Sequence, residues 1–278
     1  DAAHAVAQGH AGVREAHGDP ATRAGPGRVS AVLLRRVLLP LLVIAGLVLV
    51  WDIVIRVFSV PDYVVPTPGA VGQALVKERA RLLDNATPTI VESVGGFALG
   101  NLVAIAAALA FVHSKALERA LYPVAVAVRT LPIVAIAPIF VLLLGNGYAP
   151  KIAIAALITF FPTLVNMVEG LESADPQALE LMHVLSASKT EIFRYVRWPS
   201  SLPYLFSAMR IASTSSVLGA LVAEWIGTNK GLGYLIVLTT YDFRTALLYA
   251  AMVVTSAIAL AFFFLVSLVE WLLVRWER

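Results

Sequence analysis

Apolar positions in this chain fall in long runs rather than in the short alternations of a half-buried strand, and six of the runs approach the roughly 20 residues that cross a bilayer as a helix. They lie near 37–58, 86–112, 120–145, 149–168, 204–226 and 246–274. The pattern predicts an all-α, polytopic membrane protein with about six transmembrane helices. The last run, YAAMVVTSAIALAFFFLVSLVEWLLV, leads into Trp271, Arg275 and Trp276, residue types that anchor a helix at the membrane interface.

The middle runs are less regular. The second opens at Thr87-Pro88 and holds Gly95, Gly96 and Gly100, with Ala104 and Ala108 continuing a small-residue stripe at steps of four. Small side chains at that spacing let backbones approach, which predicts tight helix packing, within the chain or against a second copy. The third run contains Pro123, Pro132 and Pro138, and the fourth contains Pro162. Proline inside a helix removes a backbone bond and bends it, a change tolerated in a membrane where neighbours or a cavity satisfy the freed groups. These two segments are therefore expected to line something that moves.

Between runs four and five lies a charged stretch, DPQALELMHVLSASKTEIFRYVRWPSSLP, residues 175–203. Asp175-Pro176 is a helix start: the carboxylate accepts from free N–H groups, and proline suits the first helical position. Leu181, Val184 and Leu185 then share one face of a short helix. Ser188 with Glu191 three residues on forms a capping-box pattern for a second helix, which presents Ile192, Phe193 and Val196 on one side. Two such short helices cannot span a bilayer; they lie on it or dock to a partner. Pro199 and Pro203 predict a stiff, extended exit into run five.

Composition narrows the function classes. Of 278 residues 59% are hydrophobic and only 14% charged, well below the quarter typical of soluble domains, and the mean hydropathy is +0.82. The net charge of +3 comes with no basic run or aromatic-basic stripe, which argues against nucleic-acid binding. No cysteine is present, so disulfides, thiolate metal sites and thiol nucleophiles are excluded together. Residues 1–34, rich in Ala, Gly, His and Arg, read as a disordered cytoplasmic tail, and its His4, His10 and His17 lack the partners of a metal site. Asp1 in place of Met leads us to expect further residues ahead of it. With the N-terminus inside, twelve Lys and Arg fall in cytoplasmic segments and seven outside, the bias expected for that orientation.

Polar residues inside the runs are candidates for a solute path, because a charge in hydrocarbon faces a cavity or a partner. Arg129, about 13 Å into run three at the helical rise, could attract an anionic solute or clamp a carboxylate such as Glu92; a structural ion pair is the alternative. Asn101 and Asn166 could bond solute or a neighbouring helix. Glu224, near the end of run five, is expected to be interfacial or paired. GTNKGLG, 227–233, lacks the strand and the Lys-Ser/Thr of a phosphate loop and reads as an outer turn, a place for an external protein to touch.

The stretch 175–203 resembles the cytoplasmic coupling motif of binding-protein-dependent ABC importer permeases. Glu180 stands at the motif's glutamate, Leu181 and Met182 replace its two small residues, Ser186 stands where glycine is usual, and Ala187 and Ser188 match; Phe193, Pro199, Pro203 and Arg210 fall in register. Ser186 departs from the pattern at a turn that serine adopts only at some cost. The resemblance runs from about residue 35 to the end, through PTPGAV (66–71), RTLPIVAIAPIFVLLLGNG (129–147), FFPTLVNMVEGL (160–171) and EWIGTNKGLGYLI (224–236). These segments are similar to permeases for aliphatic sulfonates, taurine, nitrate or bicarbonate, and pyrimidine-type vitamin precursors.

The resemblance implies a permease domain over 35–278 with a coupling-helix pair at about 176–198, in a bacterial cytoplasmic (inner) membrane. It implies two permease copies, as a homodimer, two ATP-binding subunits docked on the coupling helices, and an extracytoplasmic solute-binding protein. ATP and Mg would reside on the partner subunits, since this chain has no G-x-x-x-x-G-K-[ST] loop. An ion-coupled secondary transporter using Glu92 and Arg129 is the alternative, although the inverted halves such proteins show are not evident. An intramembrane enzyme finds no support: His113 and His183 have no metal-ligand spacing and no nucleophile beside them, so no catalytic or metal residue is named.

Overall fold

The computed structural model describes residues 26–226 and 228–274, and all regular structure among them is helical. The predicted tail up to residue 25 with its three histidines, together with Gly227, Arg275 and Trp276, lies outside the described residues. The first helix, α1 (Pro26–Val57), belongs up to Val54 to a unit of its own. It begins eight residues ahead of the tail boundary at 34, with Pro26 at a position where a missing N–H has no consequence.

The second unit holds the rest. After α2 (Pro68–Lys77), capped by the Thr67 hydroxyl on the Ala70 N–H at 3.2 Å, comes α3 (Arg79–His113), then α4 (Lys115–Arg129), α5 (Ile133–Leu144) and α6 (Tyr148–Glu172). Two short helices, α7 (Pro176–Val184) and α8 (Lys189–Ile192), precede α9 (Trp198–Glu224), α10 (Leu232–Tyr241) and α11 (Thr245–Leu273). Among the described residues five helices are long and apolar enough to cross a membrane, six if α4 and α5 count as one span.

That pair corrects the continuous third span expected over 120–145. The helix breaks at Thr130-Leu131-Pro132 and turns by 103°. Pro132 is extended (φ −68°, ψ 116°) and offers no N–H to the preceding turn, whereas Pro123 and Pro138 lie inside α4 and α5 without ending them. The Thr130 hydroxyl closes the frayed turn on the Ala127 carbonyl at 2.7 Å.

The core is α3, α6 and α9 packed side by side. Hydrophobic burial drives little association among helices in lipid, so close backbone approach and interhelical hydrogen bonds carry it. The predicted small-residue stripe supplies that approach within the chain: a Cβ on Gly96 would collide with Ala155, and one on Gly100 with Thr159 and the Ala156 carbonyl. Ala104 and Ala108 are fully buried. Thr159 Oγ1 donates to the Gly96 carbonyl at 3.3 Å and Thr163 Oγ1 to Asn101 Oδ1 at 2.7 Å, tying α6 to α3. Large apolar side chains on α11, such as Phe264, Leu265 and Leu272, point outward instead, as suits a lipid-facing helix.

A second correction concerns Pro-Ser-Ser-Leu-Pro. The chain does not leave α8 in extended form; it passes through a π-helical turn, Phe193–Arg197, straight into α9. The Trp198 N–H reaches back five residues to the Phe193 carbonyl, and this wide turn gives the Pro199 ring room that a regular α-helix would deny it. Ser200 and Ser201 donate to the carbonyls of Val196 and Trp198, both at 2.8 Å, bonds that occupy carbonyls in the proline-containing turns.

Candidate functional site

The hairpin of α7 and α8 is built almost wholly from local hydrogen bonds. Asp175 Oδ1 accepts from the Gln177 N–H at 3.0 Å and opens α7. At its other end Ser186 sits in the left-handed region (φ 56°), its N–H donating to His183 O and that of Ala187 to Met182 O, each at 2.9 Å. This is the Schellman arrangement that glycine normally serves, and serine takes it here at the cost the sequence foresees. Ser188 then caps α8: its N–H donates to Glu191 Oε2 at 2.7 Å, and its Oγ accepts from the Glu191 N–H at 3.3 Å.

The hairpin presents an apolar knuckle. Leu181 is 58% exposed, Val184 81% and Leu185 66%, beside the exposed Glu180; Met182 and Ala187 are half-buried. Phe193 turns the other way, stacked between His113 (ring centroids 5.6 Å apart) and Trp198 (6.1 Å), and both aromatic residues pack on a buried cluster that includes Phe111, Leu164, Leu171 and Leu205. Pro199 and Pro203 occupy the first turns of α9. Arg210, about two turns further on, pairs with Glu270 of α11 at 3.0 Å. Displacement of the knuckle therefore meets the helix core directly.

The four polar residues expected along a solute path part company. Glu92 is fully buried and faces Lys151 Nζ at 3.3 Å, so its cation is Lys151 rather than Arg129. Asn101 is bonded on both sides, donating to Phe97 O at 2.7 Å and accepting from Thr163. Asn166 donates to Pro162 O at 2.7 Å. Arg129 has no acid within ion-pair distance among the described residues. It stands at the α4 end of the 103° break and lines a cavity of about 380 Å³ with Ile133, Phe161, Pro162, Ile211 and Ser215.

Residues 100–278 match the family model described as "Binding-protein-dependent transport system inner membrane component". The chain belongs to this family. The permease is 32% identical over 240 residues to the formylaminopyrimidine transport permease protein ThiX of Halalkalibacterium halodurans, covering 86% of this chain and 96% of that protein. It is 34% identical over 235 residues to the riboflavin transport system permease protein RibX of Chloroflexus aurantiacus, covering 83% and 87%. In fold it is similar to a chain of an amino acid ABC transporter seen in a crystal structure, with a TM-score of 0.59, 15% identity, and coverage of 73% of this chain and 97% of that one. It is thus a multi-pass inner-membrane component of an ABC importer, and the ion-coupled alternative gives way.

At the end of the permease core away from the hairpin lies a polar cluster that sequence reasoning largely missed. Glu224 Oε1 accepts from Thr89 Oγ1 at 2.6 Å, and Glu224 Oε2 accepts from the Gly233 N–H at 2.5 Å. The Gly231 N–H donates to Asn85 Oδ1 at 3.0 Å and the Leu232 N–H to Thr89 Oγ1 at 2.9 Å, while Lys151 Nζ donates to Thr228 at 2.9 Å. Gly231 is left-handed (φ 120°), and any Cβ there would strike the Glu224 carboxylate. The segment 228–233, expected as an outer turn, is thus held down by α3 and α9. The signal was present in the spacing of Asn85, Thr89, Glu92, Gly96 and Gly100, which puts polar and small residues on one face of α3.

Proposed function

We propose that the α7–α8 hairpin is the coupling element through which two separate ATP-binding subunits, carrying ATP and Mg, drive a homodimer of this permease from the cytoplasmic side. The observation that carries this reading is the knuckle: Leu181, Val184 and Leu185 stand exposed beside Glu180 on a turn fixed by Ser186, Ala187 and Ser188, while Phe193 and the Pro199–Pro203 foot of α9 lead into the core. An exposed apolar knuckle on a rigid turn suits a groove in a partner subunit. The N-terminus lies in the cytoplasm on this reading, as the excess of Lys and Arg supports, residues 1–34 precede the permease domain of 35–278, and an extracytoplasmic binding protein delivers the solute.

Among the candidate path residues the solute role goes to Arg129. Glu92, Asn101 and Asn166 spend hydrogen-bonding or charged atoms on neighbours, leaving Asn166 Oδ1 as a secondary contact. A guanidinium and Ser215 in a cavity otherwise walled by residues such as Ile133, Phe161, Pro162 and Ile211 fit an organic solute with an apolar body and an anionic or carbonyl edge, a sulfonate or a pyrimidine-type precursor. A compact anion such as nitrate or bicarbonate would lose its hydration there with few groups to replace it.

The test is Ala187→Arg in the permease reconstituted with its ATP-binding and binding-protein partners. A charged side chain forced into a desolvated docking surface is expected to lower ATP-driven uptake by about tenfold or more, with unchanged thermal stability of the permease alone. Uptake at the wild-type rate would overturn the coupling assignment.

A further inference from the structure

We propose that a cavity of about 300 Å³ between the hairpin and the end of α3 is an anion site that takes the phosphate of an acidic phospholipid headgroup. Four elements each contribute one basic group to it: His113 from the end of α3, His183 from α7, Lys189 from α8 and Arg197 from the π-helical turn, with Ile192 and Phe193 as an apolar wall. Among the described residues no carboxylate lines the cavity. Of the acids on the elements around it, Glu191 closes the capping box on Ser188, Glu118 and Glu172 both pair with Lys115, and Glu180 stands exposed beside Leu181, outside the cavity lining. Among the described residues no acid comes within ion-pair distance of Lys189 or Arg197. Each histidine holds its Nδ1 against a carbonyl one turn back, His113 on Leu109 at 2.8 Å and His183 on Leu179 at 2.7 Å, so the Nε2 edge of each ring is the one left for a ligand.

Lys189 and Arg197 are fixed cations gathered without a counterion among the described residues; they repel one another, and a multivalent anion relieves that repulsion while accepting from several donors at once. Arginine and lysine beside an apolar wall suit a headgroup phosphate with its glycerol, and basic pockets at the cytoplasmic face of membrane proteins meet the leaflet that carries acidic lipid. Free phosphate offers the same donor-acceptor chemistry without the apolar part. Either occupant would join α3 to α7, α8 and the π-turn and so stiffen the hairpin against the core. The site rests on the reading that the hairpin is cytoplasmic and couples to the ATP-binding subunits.

The experiment uses the full-length permease in lipid nanodiscs, with and without its ATP-binding partner, and follows carbethoxylation of His113 and His183 by peptide mass. Phosphatidylglycerol discs are expected to slow modification of both residues about fivefold relative to phosphatidylcholine discs, a factor of the size expected for one basic residue at an acidic surface. Lys189→Gln combined with Arg197→Gln should remove that protection, and Lys189→Arg should retain it, which guards against misfolding as the cause. Slowing in phosphatidylcholine discs on addition of inorganic phosphate alone would keep the anion site and make its source soluble. Equal rates in all three conditions, or protection that arrives only with the ATP-binding partner, would overturn the proposal, the latter by assigning the cavity to a partner carboxylate. Because the lipid comparison is made without the partner, failure of the coupling reading would show separately, in the Ala187→Arg uptake assay.

Discussion

At one end of the α3–α6–α9 core, Leu181, Val184 and Leu185 stand in the open on a hairpin closed by its own backbone and capping bonds; at the other, Glu92, Glu224 and Lys151 lie buried, and the loop 228–233 is bonded to α9 by the Glu224 carboxylate and to α3 by side chains more than a hundred residues away in sequence. The hairpin is locally self-sufficient, so its apolar side chains are left exposed, as the proposed docking of a partner requires. The loop has no such independence, because its amides rely on Asn85, Thr89 and Glu224. A polar group taken from water needs a bonded partner, and here each end of the core obtains it by a different route: short-range bonds where a face must remain available, long-range bonds where it must stay put.

The largest effect should come from breaking the buried end. Glu224→Ala strips the acceptor from the Thr89 hydroxyl and the Gly233 N–H, and each buried donor left unpaired costs about 1–3 kcal/mol. The loss would be read as a lower unfolding temperature of the detergent-solubilised permease, and an unchanged temperature would mean that the loop is not held as described. At the hairpin, Ser188→Ala removes a cap and is expected to cost about 1 kcal/mol, seen as faster amide hydrogen exchange confined to α8 with the global transition intact. Spread of that exchange into α9 would erase the contrast between the two ends. The smallest effect is a gain. Ser186→Gly removes the left-handed strain of about 1–2 kcal/mol but adds unfolded-state freedom of about 0.5–1 kcal/mol. The net, about 0.5 kcal/mol, should appear as slower exchange at the amides of Ser186 and Ala187.

The sequence spoke most clearly where structure is local. Asp175 and Ser188 as caps, Ser186 at a glycine-type turn and the apolar run of each long helix all follow from neighbours within four or five residues. The small-residue stripe through Gly96, Gly100, Ala104 and Ala108 also announced its close packing, because only a facing backbone explains repeated absence of side chains at steps of four. Proline was harder to read. Pro123, Pro138 and Pro203 lie inside helices while Pro132 ends one, and the difference comes from packing and from a π-turn that composition does not reveal. Hardest was the partner of each buried charge. Lys151 meets Glu92 and Thr228 across two helices and a loop, a juxtaposition set by tertiary packing, and nothing in the spacing of one helix could choose it over Arg129.

The uninterrupted passage from α8 through the π-turn into α9 makes Lys189–Glu224 a single rod of 36 residues. At 1.5 Å per residue its contour is roughly 54 Å, against a hydrocarbon layer of about 30 Å. The rod therefore outreaches the barrier at any tilt up to roughly 55°. Its foot is the hairpin and its head carries Glu224, so the two ends contrasted above are the two ends of one beam, and on the proposed coupling role a rotation started at the foot would act as leverage on the loop that Glu224 bonds.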